Sequence, residues 1–176
     1  MSGHNKWSKI KHKKAATDAI KSKIFGKLVR LIQVEAKQCD GDVNSPNLKA
    51  AIDKAKKENM PSDNIDRAIK KASESSAVEP VLFEAYGPAG VGLVITGLTD
   101  NNNRTSAEIK HMLSKLGLSL AGPGSVSWNF TKNSTTGEWK PNSVMTLDDG
   151  DLEKLANVVT QLESHDDVQD VYTNVE

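Results

Sequence analysis

The sequence predicts a two-part protein of class α followed by α+β: a helical bundle over residues 1–76 and a ferredoxin-like βαββαβ domain with one extra N-terminal strand over residues 77–176. Three observations lead there. Apolar residues recur at three- and four-residue spacing up to about Ile69, then alternate in short β-rich runs separated by turn residues. A polar stretch at 73–80, Ser-Glu-Ser-Ser-Ala-Val-Glu-Pro, separates the two patterns and reads as a linker. The charge changes sign at the same place. Residues 1–72 hold 17 Lys/Arg and 8 Asp/Glu, whereas the remaining 104 residues hold 6 and 15, so a formal net charge of zero conceals halves of +9 and −9.

In the first half, residues 1–15 carry no hydrophobic period and read as an arm that orders on docking or binding. From Asp18, a candidate first-turn acid, Ile24, Phe25, Leu28, Leu31 and Ile32 share one helix face. Cys39-Asp40-Gly41-Asp42 ends that helix. Ser45-Pro46 restarts the chain, serine as a cap and proline pre-set for the first turn, with Leu48, Ala51, Ile52 and Ala55 facing inward. Asn59-Met60-Pro61 breaks the second helix and opens a third, which buries Ile65, Ala68 and Ile69.

In the second half, Val81 to Tyr86 reads as a strand, Gly87-Pro88-Ala89-Gly90 as a turn, and Val91 to Leu98 as a second strand. Asn103 to Leu116 is a helix with Ile109, Met112, Leu113 and Leu116 inward. Val126 to Phe130, Ser143 to Leu147 and Val168 to Tyr172 are further strands, and Asp151 to Leu162 is a helix between the last two. Two helices then cover one sheet face, while the other face or an edge strand is open to a partner.

Composition narrows the chemistry. A single cysteine, Cys39, excludes an intramolecular disulfide and a cysteine-based zinc cluster and suits a reducing compartment. No apolar run reaches membrane-spanning length and the N-terminus lacks a secretory apolar core, so the expected location is the cytoplasm, without membrane contact. The Asn-x-Ser/Thr matches at Asn103, Asn129 and Asn133 are then chance. His4, His12, His111 and His165 have no ligand-spaced neighbours, and no nucleophile, base and acid stand together. Asp40, Asp42 and Asn44 imitate a calcium loop but have Ser45 where glycine is needed and Ala51 where a bidentate glutamate is needed. Gly87, Gly90 and Gly92 lie between strands and are hairpin glycines, not a phosphate loop. The expectation is a protein without enzymatic activity, cofactor or metal.

The charge points to nucleic acid. Met1 to Arg30 has nine cations against one anion, with Trp7 and Phe25 among them, offering charge for phosphates and rings for bases. The candidate contacts are Lys6, Trp7, Lys9, Lys11, His12, Lys13 and Lys14 in the arm, with Lys23, Lys27 and Arg30 extending the patch along the first helix. Solvated lysines on a helix face, and a Trp7 that pins the arm to the bundle, are the competing readings. Asp100-Asn101-Asn102-Asn103-Arg104-Thr105 caps a helix through Asp or Asn and leaves Arg104 to grip a phosphate or an acidic neighbour.

Several segments also resemble the YebC/PmpR family, which includes the mitochondrial translational activator of cytochrome c oxidase subunit I. They are Gly3-His4-Asn5-Lys6-Trp7, Ile10 to Ala16, Lys23-Ile24-Phe25, Asn59-Met60-Pro61 with Asn64-Ile65 and Arg67-Ala68-Ile69, Tyr86-Gly87-Pro88, Thr99-Asp100-Asn101 with Asn103-Arg104-Thr105, and Gly124-Ser125-Val126. The resemblance implies a helical first domain, ferredoxin-like α/β domains and no established enzymatic activity. Members are described either as DNA-binding transcriptional regulators or as ribosome-associated factors that help translation through difficult sequences such as proline runs. The sequence departs from the family at Asn5, where serine is usual, and after Phe130, where the family's third domain is reduced to about residues 131–142. The aromatic-and-lysine arm leans towards RNA, because no helix pair shows the pattern of a major-groove reader, and the resemblance then implies ribosomal RNA on the ribosome as the partner. DNA is the alternative, and a protein-interaction module using an open sheet edge is a third.

Overall fold

The computed structural model describes residues 18–74 and 78–176. The first helix, α1 (Asp18–Gln38), ends where Asp40 and Gly41 take positive φ and the Gly41 amide donates to the Ala36 carbonyl, the left-handed stop expected of Cys39-Asp40-Gly41. Pro46 is the first residue of α2 (Pro46–Lys57), but Ser45 makes no side-chain cap bond. That helix start rests on proline's fixed φ alone. Asn59 at φ 60° turns the chain into α3 (Ser62–Lys70), which follows Pro61. Leu28, Ile32 and Ala36 of α1 pack on Leu48, Ala51 and Ala55 of α2 and on Ile65 and Ala68 of α3, with Met60 plugging the turn. The alanines let the helix backbones approach closely.

The second domain begins with β1 (Glu79–Tyr86) and β2 (Gly92–Thr99), antiparallel in continuous register from Glu79↔Thr99 to Tyr86↔Gly92. The turn between them places Ala89 and Gly90 at positive φ, and the Gly87 amide donates to the Val91 carbonyl. Helix α4 (Asn102–Lys115) follows, then the short strands β3 (Phe130–Lys132) and β4 (Trp139–Pro141), helix α5 (Asp149–Glu163) and β5 (Val168–Thr173). The main sheet has the order β1-β2-β5 and is antiparallel throughout. Leu93, Ile95, Val168 and Val171 on one face pack against Ile109 and Leu113 of α4 and Leu152, Leu155, Val159 and Leu162 of α5. The expected cover of two helices on one sheet face is therefore present.

The expected four-stranded ferredoxin sheet is not. Residues 126–129, read as a strand, form a 3-10 turn at Ser127–Asn129 before β3 begins. Residues 143–147 make only one bridge, Met145↔Val175, because Asn129 takes both backbone groups of Ser143 and draws the start of that segment away from the sheet. Residues 131–142, to which the resemblance reduces the family's third domain, hold a hairpin in which β3 pairs with β4. Its turn closes on Asn133, whose side chain accepts from the Thr135 and Thr136 amides, with Gly137 at positive φ. The mixed helix and antiparallel-sheet class is as expected; the ferredoxin-like strand arrangement is not what these strands form.

Candidate nucleic-acid interface

The arm residues Lys6, Trp7, Lys9, Lys11, His12, Lys13 and Lys14 lie outside the described residues. The remaining candidates meet at one place. Lys23, Lys27 and Arg30 are spaced four and three apart, so they share one face of α1, and that face lies on the second domain. Lys23 Nζ donates to the Ser164 carbonyl at 3.1 Å and Lys27 Nζ to the Glu163 carbonyl at 2.6 Å. These carbonyls end α5, whose own last turn holds no basic residue, so lysines of the first domain cap this helix and complement its dipole. Burial pushes the Lys27 ammonium below its ordinary pKa, although Glu163, Asp170 and Asp166 pull the other way.

Arg30 reaches further. Its guanidinium donates to the Leu98 carbonyl at 3.1 Å and to Asp167 Oδ1 at 2.7 Å. Asp167 Oδ2 accepts from Arg104 at 2.7 Å and from the Thr105 hydroxyl at 2.7 Å. Asp167 is buried, and burial alone would raise its pKa. The Thr105, Arg104 and Arg30 hydrogen bonds outweigh that and hold the carboxyl well below the usual carboxylate range. Arg104 also pairs with Asp100 at 3.0 Å, while Asn101 caps α4 by accepting from the Arg104 amide. Of the two roles open to Arg104, the structure places it on an acidic neighbour.

Spacing gave no sign of Asp167, the centre of this network: Asp166-Asp167-Val168-Gln169 resembles the family's C-terminus, but nothing local ties its acid to Arg30 or Arg104. It also gave His165 no partner, yet His165 Nε2 lies 2.8 Å from Glu108 Oε2. His165 Nδ1 accepts from the Asp167 amide, so in the neutral ring Nε2 carries the proton. Glu108, His165 and Asp167 bring potential metal-ligand atoms together. Two arginines already compensate Asp167, so the cluster reads as an ion-pair network.

A second ion pair, Lys54 to Asp170 at 2.9 Å, joins the domains on the sheet face opposite α4 and α5. Among the described residues, the lysines exposed on the bundle include Lys21 and Lys37 of α1, Lys49, Lys56 and Lys57 of α2, and Lys70 and Lys71 at the end of α3. Arg67 is exposed but held by Asn64 Oδ1 at 2.6 Å. No helix among the described residues is long and apolar enough to cross a membrane.

Known proteins match this chain along its whole length. The model described as the TACO1/YebC protein N-terminal domain matches residues 5–75, and that described as the TACO1/YebC second and third domain matches 78–137 and 132–175. The two segments of the latter meet inside the β3–β4 hairpin. A Thermosipho africanus protein named "Probable transcriptional regulatory protein" is 38% identical over 237 aligned positions, covering 100% of this chain and 94% of the relative. With 176 residues here, at least 61 of those positions have no counterpart in this chain. A similarly named Geobacter sulfurreducens protein is 44% identical over 174 residues, 97% of this chain and 67% of its own length. The crystal structure of a conserved hypothetical protein from Aquifex aeolicus superposes with a TM-score of 0.82 at 31% identity, covering 97% of this chain and 96% of that one. With both family models matched in order and a 38% identical relative covered over 94% of its length, the chain belongs to the TACO1/YebC family.

Proposed function

We propose that this protein is a non-enzymatic regulator of gene expression that binds nucleic acid through its basic N-terminal domain, with structured RNA on the ribosome as target and the translation of difficult sequences as the step it modulates. The observation that carries the reading is the division of charge. The +9 half holds the arm and the exposed lysines of α2 and α3, and the −9 half repels a polyanion, so the molecule meets one in a single orientation. Lys23, Lys27, Arg30 and Arg104 contribute by fixing the second domain against α1, and Lys11, Lys13 and Lys14 are the phosphate contacts to test first. The family's third domain, reduced here to the β3–β4 hairpin, is not needed for this surface.

The names of the relatives favour a second reading, a DNA-binding transcriptional regulator with the same surface. Fluorescence anisotropy against RNA and DNA of matched sequence separates the two. Either should weaken by on the order of a thousandfold as salt rises from about 50 to about 200 mM, if six or more phosphates are neutralised. A Lys11→Glu, Lys13→Glu, Lys14→Glu variant should fold normally and lose binding. Parent-like affinity in that variant would remove the arm as the site, and salt-independent binding would favour a protein partner. Crosslinking in cells, with ribosomal RNA recovered at discrete positions, is the outcome expected of the translation reading.

A further inference from the structure

The second domain exposes two aromatic rings on one loop and strand end. Trp128 is 72% exposed and Tyr86 47%. The Trp128 indole N–H and the Tyr86 hydroxyl both donate to the Ser125 carbonyl, at 2.8 and 2.7 Å, so the two side chains are fixed at their polar tips beside each other. The loop carrying Ser125 is anchored from below. The buried Glu84 carboxylate accepts from the backbone amides of Gly124, Val126 and Ser127, each at 2.7 Å, and the Ala121 amide donates to the Glu84 carbonyl. A buried carboxylate is a costly way to hold a loop, and here it positions a surface of exposed rings.

From this geometry we infer that Tyr86 and Trp128 form a stacking platform for the bases of single-stranded nucleic acid. The ring donors are already spent on Ser125. An extended peptide would bring unpaired carbonyls in need of donors, whereas a base stacks on a ring face without any. Charge on this side of the domain also suits a polyanion. Lys132 and Lys140 lie exposed on the hairpin that follows Trp128, with Glu138 as its one acid; Asp170 on the same sheet face is paired with Lys54, and the Glu84 carboxylate is buried and taken up by backbone amides. The acids Asp148, Asp149, Asp151, Glu153 and Glu163 belong to α5 and its cap, on the opposite face of the sheet. The inference rests on the nucleic-acid reading above and adds a second contact, on the other domain, that reads bases through their faces.

The test uses the full chain and a fluorescein-labelled, mixed-sequence RNA strand of about a dozen nucleotides, within the range such platforms cover. Trp128→Ala should bind roughly 5- to 100-fold more weakly with an unchanged salt slope, since stacking releases no counterions. Tyr86→Ala should weaken binding less, and annealing the strand to its complement should erase the difference between parent and variants. In a Trp7→Phe, Trp139→Phe background, where Trp128 is the one indole left, saturating strand should quench the emission, a readout independent of whether the alanine variants fold. Parent-like affinity in folded Trp128→Ala, or unquenched emission with bound strand, overturns the platform while leaving the arm's role standing. A parent that binds no strand overturns both, and an altered oligomeric state of Trp128→Ala with unaltered RNA binding assigns the rings to a second copy of the chain.

Discussion

Glu84 and Asp167 are acids whose hydrogen-bond partners hold them ionised despite burial. Glu84 is taken out of water, which by itself favours the neutral form, yet three backbone amides and the Ser127 hydroxyl hold its pKa below the ordinary value. Glu84→Gln presents an amide group to donors and should cost about 2–3 kcal/mol in urea denaturation. For both acids the folded pKa lies below the unfolded one, so in acid the unfolded state binds more protons. Their stabilisation is therefore complete above the unfolded values of about 4 and is lost as pH falls through the depressed folded ones. The melting temperature of the parent should drop over that window, and that of Glu84→Gln should drop less steeply. Equal slopes would mean that another carboxylate governs acid unfolding.

At the scale of the elements, one glycine determines where Asp167 sits. The β2–β5 ladder shifts register between Thr96 and Gly97, and a Cβ on Gly97 would lie 2.6 Å from the Asp167 carbonyl oxygen and 3.1 Å from Val81 Cγ2. Backbone approaches that closely only where no side chain intervenes. Beside it the Leu98 amide donates to the same Asp167 carbonyl at 2.8 Å, so the bulge delivers the Asp167 side chain to Arg30 and Arg104. Gly97→Ala should lower stability by about 2 kcal/mol or more, measured by denaturant titration, as the strands separate or Asp167 moves. In the sequence, Gly97 looked like any residue of a strand. The Asp100 to Thr105 cluster, in contrast, declared its helix start, since Asn followed by a helical period is the signature of a cap.

At the scale of the whole molecule, the cations of α1 act as a latch between the halves. Lys23 and Lys27 grip the carbonyl end of α5, Arg30 shares Asp167 with Arg104, and Lys54 adds the pair with Asp170. Lys27→Glu with Arg30→Glu should release the domains, at about 2–3 kcal/mol of interface stability once the partial exposure of Arg30 is allowed for. Small-angle scattering should report a larger radius of gyration and limited proteolysis faster cleavage within residues 73–80. An unchanged radius would place the hold between the domains elsewhere. By itself the sequence determined the bundle helices α1 to α3, the β1–β2 hairpin, α4, α5, β5 and the opposed charges, because periodicity, turn residues and charge are local properties. Only the tertiary structure decided that residues 143–147 join no sheet, that 131–142 pair as a hairpin, that α1's cations face Asp167, and that Tyr86 and Trp128 share one carbonyl. Each of these depends on which distant backbone or side chain arrives opposite, and local pattern carries no record of that.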